Sequence, residues 1–328
     1  MTTADVVRWG IAGPGGIATR FASDMPRVEG GEVVAVASRS MDRARAFADR
    51  FGITRYHGSY EALAEDADVD AVYVATPHSR HAADSILYLE AGKHVLCEKP
   101  FTLNAAQAKG VAAAARANDR FVMEAMWSRF LPAYRALSDV LASGEIGEPL
   151  LVEADFGFRV PVDPRRRHFD LAQGGGALLD LGIYPVQLCF LVLGAPDAVA
   201  AQARVGETGA DEQVAAVLHH RDGALGVVKA AIRTSLSCTA RIAGTDGSID
   251  LPAFMHCPDH LTVHGAGGER RIDAPFDGDG LRFQVDEVHR CLAAGLRESP
   301  RMPVDESIAI AAVLDEIRAQ IGVRYPGE

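Results

Sequence analysis

The stretch Val6-Val7-Arg8-Trp9-Gly10-Ile11-Ala12-Gly13-Pro14-Gly15-Gly16-Ile17-Ala18 decides how the first half of the chain is read. An apolar run ends at Ala12, glycines and a proline break it, and residues 17–25 have the composition of a helix. Gly13, Gly15 and Ala18 match the pattern G-x-G-x-x-A. In that pattern the first glycine allows a tight turn, the second lets a pyrophosphate approach the backbone, and the small third residue lets helix pack on strand. Gly16 and Ile17 open the helix, whose N-terminus then faces the anion. Alone the match is weak, because Gly-rich connections are common. Its weight comes from the strand before it, the helix after it, and a second strand ending about twenty residues later.

Outward from this loop, residues 33–37 precede 42–51, 71–75 precede 79–91, 94–97 precede 103–118, and 121–123 close the series. Apolar runs without strict alternation, each followed by a helix, describe strands buried on both faces of a parallel sheet. Residues 1–124 are therefore expected to be a doubly wound α/β dinucleotide-binding domain. After Gly147 the pattern changes to alternation, over 150–158, 198–205, 213–219, 224–233, 238–243, 248–251 and 260–263. The short loops Arg221-Asp222-Gly223 and Gly244-Thr245-Asp246-Gly247 suit antiparallel connections. Residues 125–328 are expected to form an α+β domain around a large, mostly antiparallel open sheet. Two late helices, 281–296 and 305–321, have room to pack back on the first domain.

The 328 residues suffice for two cores. Thirty-three Lys+Arg against 44 Asp+Glu give a net charge of −11, which argues against non-specific binding to nucleic acid or anionic lipid. Five widely spaced cysteines without a Cys-x-x-Cys pair suggest buried thiols in a reducing compartment rather than disulfides or zinc. His78 and His81 have no third ligand in register, so no metal is expected. Asp5 and Arg8 leave no room for the apolar core of a signal peptide. The longest uncharged stretch, 181–196, is broken by Gly182, Pro185 and Gly194 and falls short of the ~20 apolar residues of a membrane span. A cytoplasmic protein is expected.

The second strand ends Ala37-Ser38-Arg39-Ser40, where an NAD enzyme carries an acid for the ribose hydroxyls. Arg39 can fork two charge-assisted hydrogen bonds onto a 2′-phosphate and Ser38 can donate another, so NADP is the expected cofactor.

Cys97-Glu98-Lys99-Pro100, directly after the strand 94–97, resembles the Glu-Lys-Pro signature of the Gfo/Idh/MocA oxidoreductases. Ala75-Thr76-Pro77-His78 with His81, Glu124-Ala125-Met126-Trp127-Ser128-Arg129-Phe130, and Gly174-Gly175-Gly176 leading to Asp180-Leu181-Gly182-Ile183-Tyr184 agree in order and spacing. Ser38-Arg39, the Trp127 segment and Tyr184 resemble the branch of dimeric dihydrodiol dehydrogenases and NADP-dependent D-xylose 1-dehydrogenases. Most of the family carries a histidine near the place of Tyr184.

The resemblance implies hydride transfer at an alcohol carbon, with Tyr184 taking the hydroxyl proton. A phenol of pKa ~10 is a poor base at neutral pH, so an ammonium is needed to favour the phenolate, and Lys99 supplies it. Asp180, one helical turn before Tyr184, binds a substrate hydroxyl or orients Lys99. Thr76, Pro77, His78, His81 and Glu98 are assigned to the cofactor region, with His81 packing beneath it. Trp127 and Arg129 are expected at the mouth of the substrate pocket. A buried structural tryptophan competes with that reading. Of Arg165-Arg166-Arg167, two are expected in a solvated loop and Arg167 near nicotinamide and substrate. The Lys99-Pro100 bond is expected to be cis.

The reading that results is an NADP-dependent oxidoreductase acting on a secondary alcohol or hemiacetal of a sugar-like polyol or trans-dihydrodiol. The alternatives are a ketoreductase of nucleotide-linked sugars and a non-catalytic NADP-sensing protein. Apolar residues on both faces of the second sheet point to a homodimer built on it.

Overall fold

The structure is a computed structural model and describes residues 6–328, so Asp5 lies outside the described residues. The chain divides into two compact units. One comprises the chain up to Phe130 together with Asp277–Ile308, the other Leu131–Phe276 together with Ala309–Glu328.

The first unit alternates strand and helix: β1 (Val7–Ala12), α1 (Gly16–Asp24), β2 (Gly31–Ala37), α2 (Met41–Phe51), β3 (Arg55–His57), α3 (Tyr60–Ala64), β4 (Ala71–Val74), α4 (His81–Glu90), β5 (His94–Glu98), α5 (Ala105–Ala117) and β6 (Val122–Ala125). All six strands are parallel, in the order β3-β2-β1-β4-β5-β6. Every residue of β4 and β6 is buried, as apolar runs without alternation require. Ser40, Ser59 and Asn104 cap α2, α3 and α5 by accepting the N–H three residues on. Strand order reverses between β1 and β4, which opens a crevice at the carboxyl ends of the strands, where such folds bind ligands. The sequence reading lacks β3 and α3. Both are short, and β3 is an edge strand with two exposed residues and no apolar face.

The second unit contains α6 (Pro132–Ser143), β7 (Pro149–Gly157), α7 (Ile183–Leu193), β8 (Ala198–Val205), β9 (Asp211–His219), β10 (Leu225–Ala231), β11 (Ala240–Gly244), β12 (Ser248–Leu251), β13 (His260–Gly265) and β14 (Gly268–Asp273). The sheet order is β14-β13-β12-β11-β7-β10-β9-β8. Every pair is antiparallel except β7 with β10. The mostly antiparallel open sheet is as expected. The sequence reading missed β14, because Gly-Glu-Arg-Arg-Ile-Asp offers no apolar alternation at an exposed edge.

Helix α7 packs on β7 and β10, against Val152, Ala154, Val228 and Ala230 on one face. On the other face the rows Leu151-Leu225-His219-Ala198 and Glu153-Val227-Val217-Ala200 run across β7, β10, β9 and β8. The helical run containing α7 begins earlier than its apolar stretch suggests. A 3-10 turn (Leu171–Gln173) and a π turn (Leu178–Gly182) precede it, and the whole run, Leu171–Leu193, is long and apolar enough to cross a membrane by length and composition. It is mostly buried and carries Asp180, which makes it a core helix.

Two helices close the chain, α8 (Arg282–Ala293) and α9 (Val304–Ile321). Asp24 accepts the N–H of Leu281 and Arg282 and so holds the start of α8 in the first unit.

Candidate active site

In the first unit, β1 runs into Gly13 at φ +92°, and a Cβ there would lie 2.8 Å from the Ala75 carbonyl oxygen. Only glycine lets β1 turn this close to the end of β4. At Gly15 and Gly16 a Cβ would meet nothing within 4 Å. Helix α1 starts at Gly16 with no side chain capping it, so its first-turn N–H groups stay available to an anion. Ile17 is half-buried and Ala18 fully buried against the sheet. An uncapped helix start beneath an open glycine pair fits the pyrophosphate of a dinucleotide. At the end of β2, Ser38 is buried and its Oγ accepts the Ser40 N–H at 3.2 Å, while Arg39 is exposed.

Two turns at the ends of β4 and β5 are tied together from below. His81 is fully buried, with Nδ1 2.8 Å from the Pro100 carbonyl and Nε2 2.9 Å from that of Thr76. Burial pushes its pKa down. Thr76 is buried, Pro77 and His78 are half-buried, and the His78 ring meets that of His81 edge-on at 5.6 Å. Lys99-Pro100 is cis, as expected.

Glu98 accepts hydrogen bonds from the Tyr73 hydroxyl and from the Lys99 N–H, and burial raises its pKa. Glu124, opposite Cys97 on β6, accepts the Phe101 N–H at 3.0 Å. Burial pushes its carboxyl up to about 7. Two buried acids thus brace the backbone on either side of Lys99 and Pro100, and Lys99 itself is half-buried.

Trp127 is 2% exposed, and Arg20 lies over its ring at 5.3 Å. Arg129 is also buried, with its guanidinium on Glu306 at 2.5 Å and on the Arg301 carbonyl at 3.2 Å.

The second unit assembles the remaining residues. A Cβ at Gly175 would stand 2.6 Å from the Arg167 carbonyl and 2.9 Å from the Asp170 nitrogen, so the glycine lets the 167–170 loop lie against the start of the helical run. There Arg167 pairs with Asp180 at 3.0 Å, and His168 is 3.9 Å from the same oxygen. Arg165 pairs with Asp163, and both Arg165 and Arg166 are exposed.

Asp180 sits in the π turn, a distortion common at functional sites. Tyr184 follows in α7, 5% exposed, with Phe156 edge-on at 5.5 Å and His256 at 5.0 Å. Phe156 and His256 stack on each other at 4.3 Å. The sequence reading missed Phe156, His168 and His256. The alternation of β7 could have flagged Phe156, but nothing in its local sequence marks His256.

The family model described as "Oxidoreductase family, NAD-binding Rossmann fold" matches residues 7–126, and the GFO/IDH/MocA C-terminal domain matches 134–250. The chain belongs to the Gfo/Idh/MocA oxidoreductases. Within them it is a dehydrogenase acting on CH–OH groups with a nicotinamide cofactor, as its relatives indicate. Trans-1,2-dihydrobenzene-1,2-diol dehydrogenase from Mus musculus is 40% identical over 333 residues, with 98% of both chains covered. The same enzyme from Homo sapiens is 41% identical over 331 residues, again with 98% of both covered. Among solved structures, a 3-ketoreductase from Actinomadura kijaniata in complex with NADP and TDP-benzene is 28% identical, with a TM-score of 0.86 over 97% of this chain and 98% of that one. An aldose-aldose oxidoreductase from Caulobacter crescentus, 24% identical, shares the fold with a TM-score of 0.87 over 96% of this chain and 97% of that one.

Proposed function

We propose that the chain is an NADP-dependent dehydrogenase or reductase of a trans-dihydrodiol or sugar-like polyol, working in the cytoplasm as a homodimer. The observation that carries the reading is Asp180, paired with Arg167, on the same helical run as the buried Tyr184. A phenol can take the reacting hydroxyl's proton as hydride leaves its carbon, and a carboxylate can hold a neighbouring hydroxyl of a diol or polyol in place. The dehydrogenases named for trans-1,2-dihydrobenzene-1,2-diol support the substrate class. Ser38-Arg39 and the ketoreductase solved with NADP support the cofactor.

When bound, the nicotinamide supplies the acceptor or donor of hydride. Tyr184 Oη takes the hydroxyl proton in oxidation and returns it in reduction. The Lys99 ammonium stabilises the phenolate and the developing alkoxide. Asp180 holds a neighbouring substrate hydroxyl, and Arg167, paired with it, aims that carboxylate. Arg39 and Ser38 hold the 2′-phosphate, and the N-terminus of α1 holds the pyrophosphate.

A panel of trans-dihydrodiols, aldoses and nucleotide-linked ketosugars, run with NADP⁺ and NADPH, tests the reading. The TDP-benzene bound by the ketoreductase favours the nucleotide-linked sugars as the second reading, and the panel separates the two. Lys99→Ala and Tyr184→Phe should each lower kcat by about 10²–10⁴-fold with NADPH binding retained, and the double variant should be little worse than the worse single one. Near wild-type turnover in Tyr184→Phe would move proton transfer to Lys99 or Asp180. Tight NADPH binding with no turnover across the panel would leave a sensing protein.

A further inference from the structure

One fully buried acid has no part in the chemistry above. Asp211 starts β9, and its Oδ2 accepts the Leu178 N–H at 2.6 Å, at the first residue of the π turn that carries Asp180 and leads into Tyr184. Its Oδ1 accepts no hydrogen bond among the described residues. That oxygen lies where a Cβ on Gly176 would be 2.1 Å away, and Gly176 adopts φ +126°, which L side chains rarely reach. The chain is therefore bent at residue 176 to admit a carboxylate from another strand. A second brace comes from Tyr325, whose hydroxyl donates to the Gly175 carbonyl at 3.0 Å. Burial pushes the Asp211 carboxyl up to about 7, with Arg318 and Tyr325 the charged or titratable groups set against it. An ordinary helix start would be capped by a Ser or Asn beside it, without burying an acid.

We infer that Asp211 is a positioning residue, which pins the turn at 176–178 and so sets the direction in which Asp180 and Tyr184 project. The inference rests on the reading that those two residues do the chemistry. It explains two glycines at once, since Gly175 admits the Arg167 loop and Gly176 admits the carboxylate. An Asn at 211 would keep its carbonyl on the Leu178 N–H and place its amide where Oδ1 stands.

Asp211→Ala, Asp211→Asn and Tyr325→Phe test it through kinetics and through amide exchange of the ligand-free full chain. Asp211→Ala should lower kcat by about tenfold or more with the cofactor KM within about twofold, and Asp211→Asn should return kcat to within about threefold of wild type. Amide exchange in Asp211→Ala should quicken about tenfold over residues 177–184 and stay unchanged in β7 and β10. If Asp211→Ala does not fold, Tyr325→Phe should show a smaller acceleration confined to the same residues.

Unchanged exchange over 177–184 overturns the inference. So does an Asp211→Ala enzyme that keeps wild-type kcat, or an Asp211→Asn enzyme as impaired as Asp211→Ala. Wild-type protein that turns over no substrate would sink the functional reading instead, and the exchange measurement would still decide whether Asp211 pins the turn.

Discussion

At Arg39 the choice of cofactor comes down to one exposed side chain at the end of β2. An aspartate there would remove a charge-assisted contact with a 2′-phosphate and add a repulsion. Arg39→Asp should therefore weaken NADPH binding by about ten- to a hundredfold and leave NADH binding nearly unchanged, as read by titration of cofactor fluorescence. Equal affinity of the wild-type chain for NADPH and NADH would contradict this. Single residues were legible in the sequence where their chemistry depends on neighbours along the chain: Gly13 on its tight turn, Lys99 on the proline after it. Arg129 shows the limit. Its guanidinium is committed to Glu306, and no local pattern announces a partner that far along the chain. His81 likewise shows its task only once Thr76 and Pro100 stand on either side of its ring.

The paired ends of β5 and β6 form the element that presents Lys99, and they do so with buried acid. Glu124 has a carboxyl pushed up to about 7, above its value in the unfolded chain. Its contribution to stability is thus full below the unfolded pKa and is lost as pH rises through about 7. The loss is at most about 3 kcal/mol. Denaturant midpoints of the wild type should fall between about pH 5 and 8.5, and those of Glu124→Gln should fall less over the same range. A fall of the same size in both would place the pH dependence elsewhere. Secondary structure was legible in the wholly apolar run of β4, the alternation of β9 and the helical period of α2, while α6 went unread although Ala133, Tyr134, Leu137 and Val140 are buried at helical spacing. Secondary structure was illegible at the exposed edges β3 and β14, where nothing constrains the side chains, and in the π turn. A Cβ on Gly182 at the end of that turn would lie 3.4 Å from the Ala230 side chain, a neighbour brought there across the fold rather than along the sequence.

At the scale of the whole second unit, the rows that start at Leu151 and Glu153 on the sheet face opposite α7 are half-buried or exposed. Leu151, Leu225, Val227 and Val217 form its half-buried apolar middle. Around them Lys229 pairs with Asp155 at 3.3 Å and Arg241 with Asp250 at 2.9 Å. An apolar centre with paired charges around it suits a second copy of the same face, the basis of the proposed homodimer. Val227→Glu should convert a dimeric mass to a monomeric one in light scattering at micromolar concentration. A monomeric wild type would end that proposal.

The sequence shows a change of pattern near Gly147 and leaves room for the late helices to return to the first domain, and residues 277–308 do belong to the first unit. Their contacts are long-range: Leu281, Val285, Val288 and Cys291 are buried, Trp9 donates its indole N–H to His289, and Val122 donates its backbone N–H to the Arg297 carbonyl. During synthesis, then, the nucleotide-binding unit emerges from the ribosome first but is completed almost last. Its opening 130 residues must wait, part-assembled, while residues 131–276 of the other unit are made.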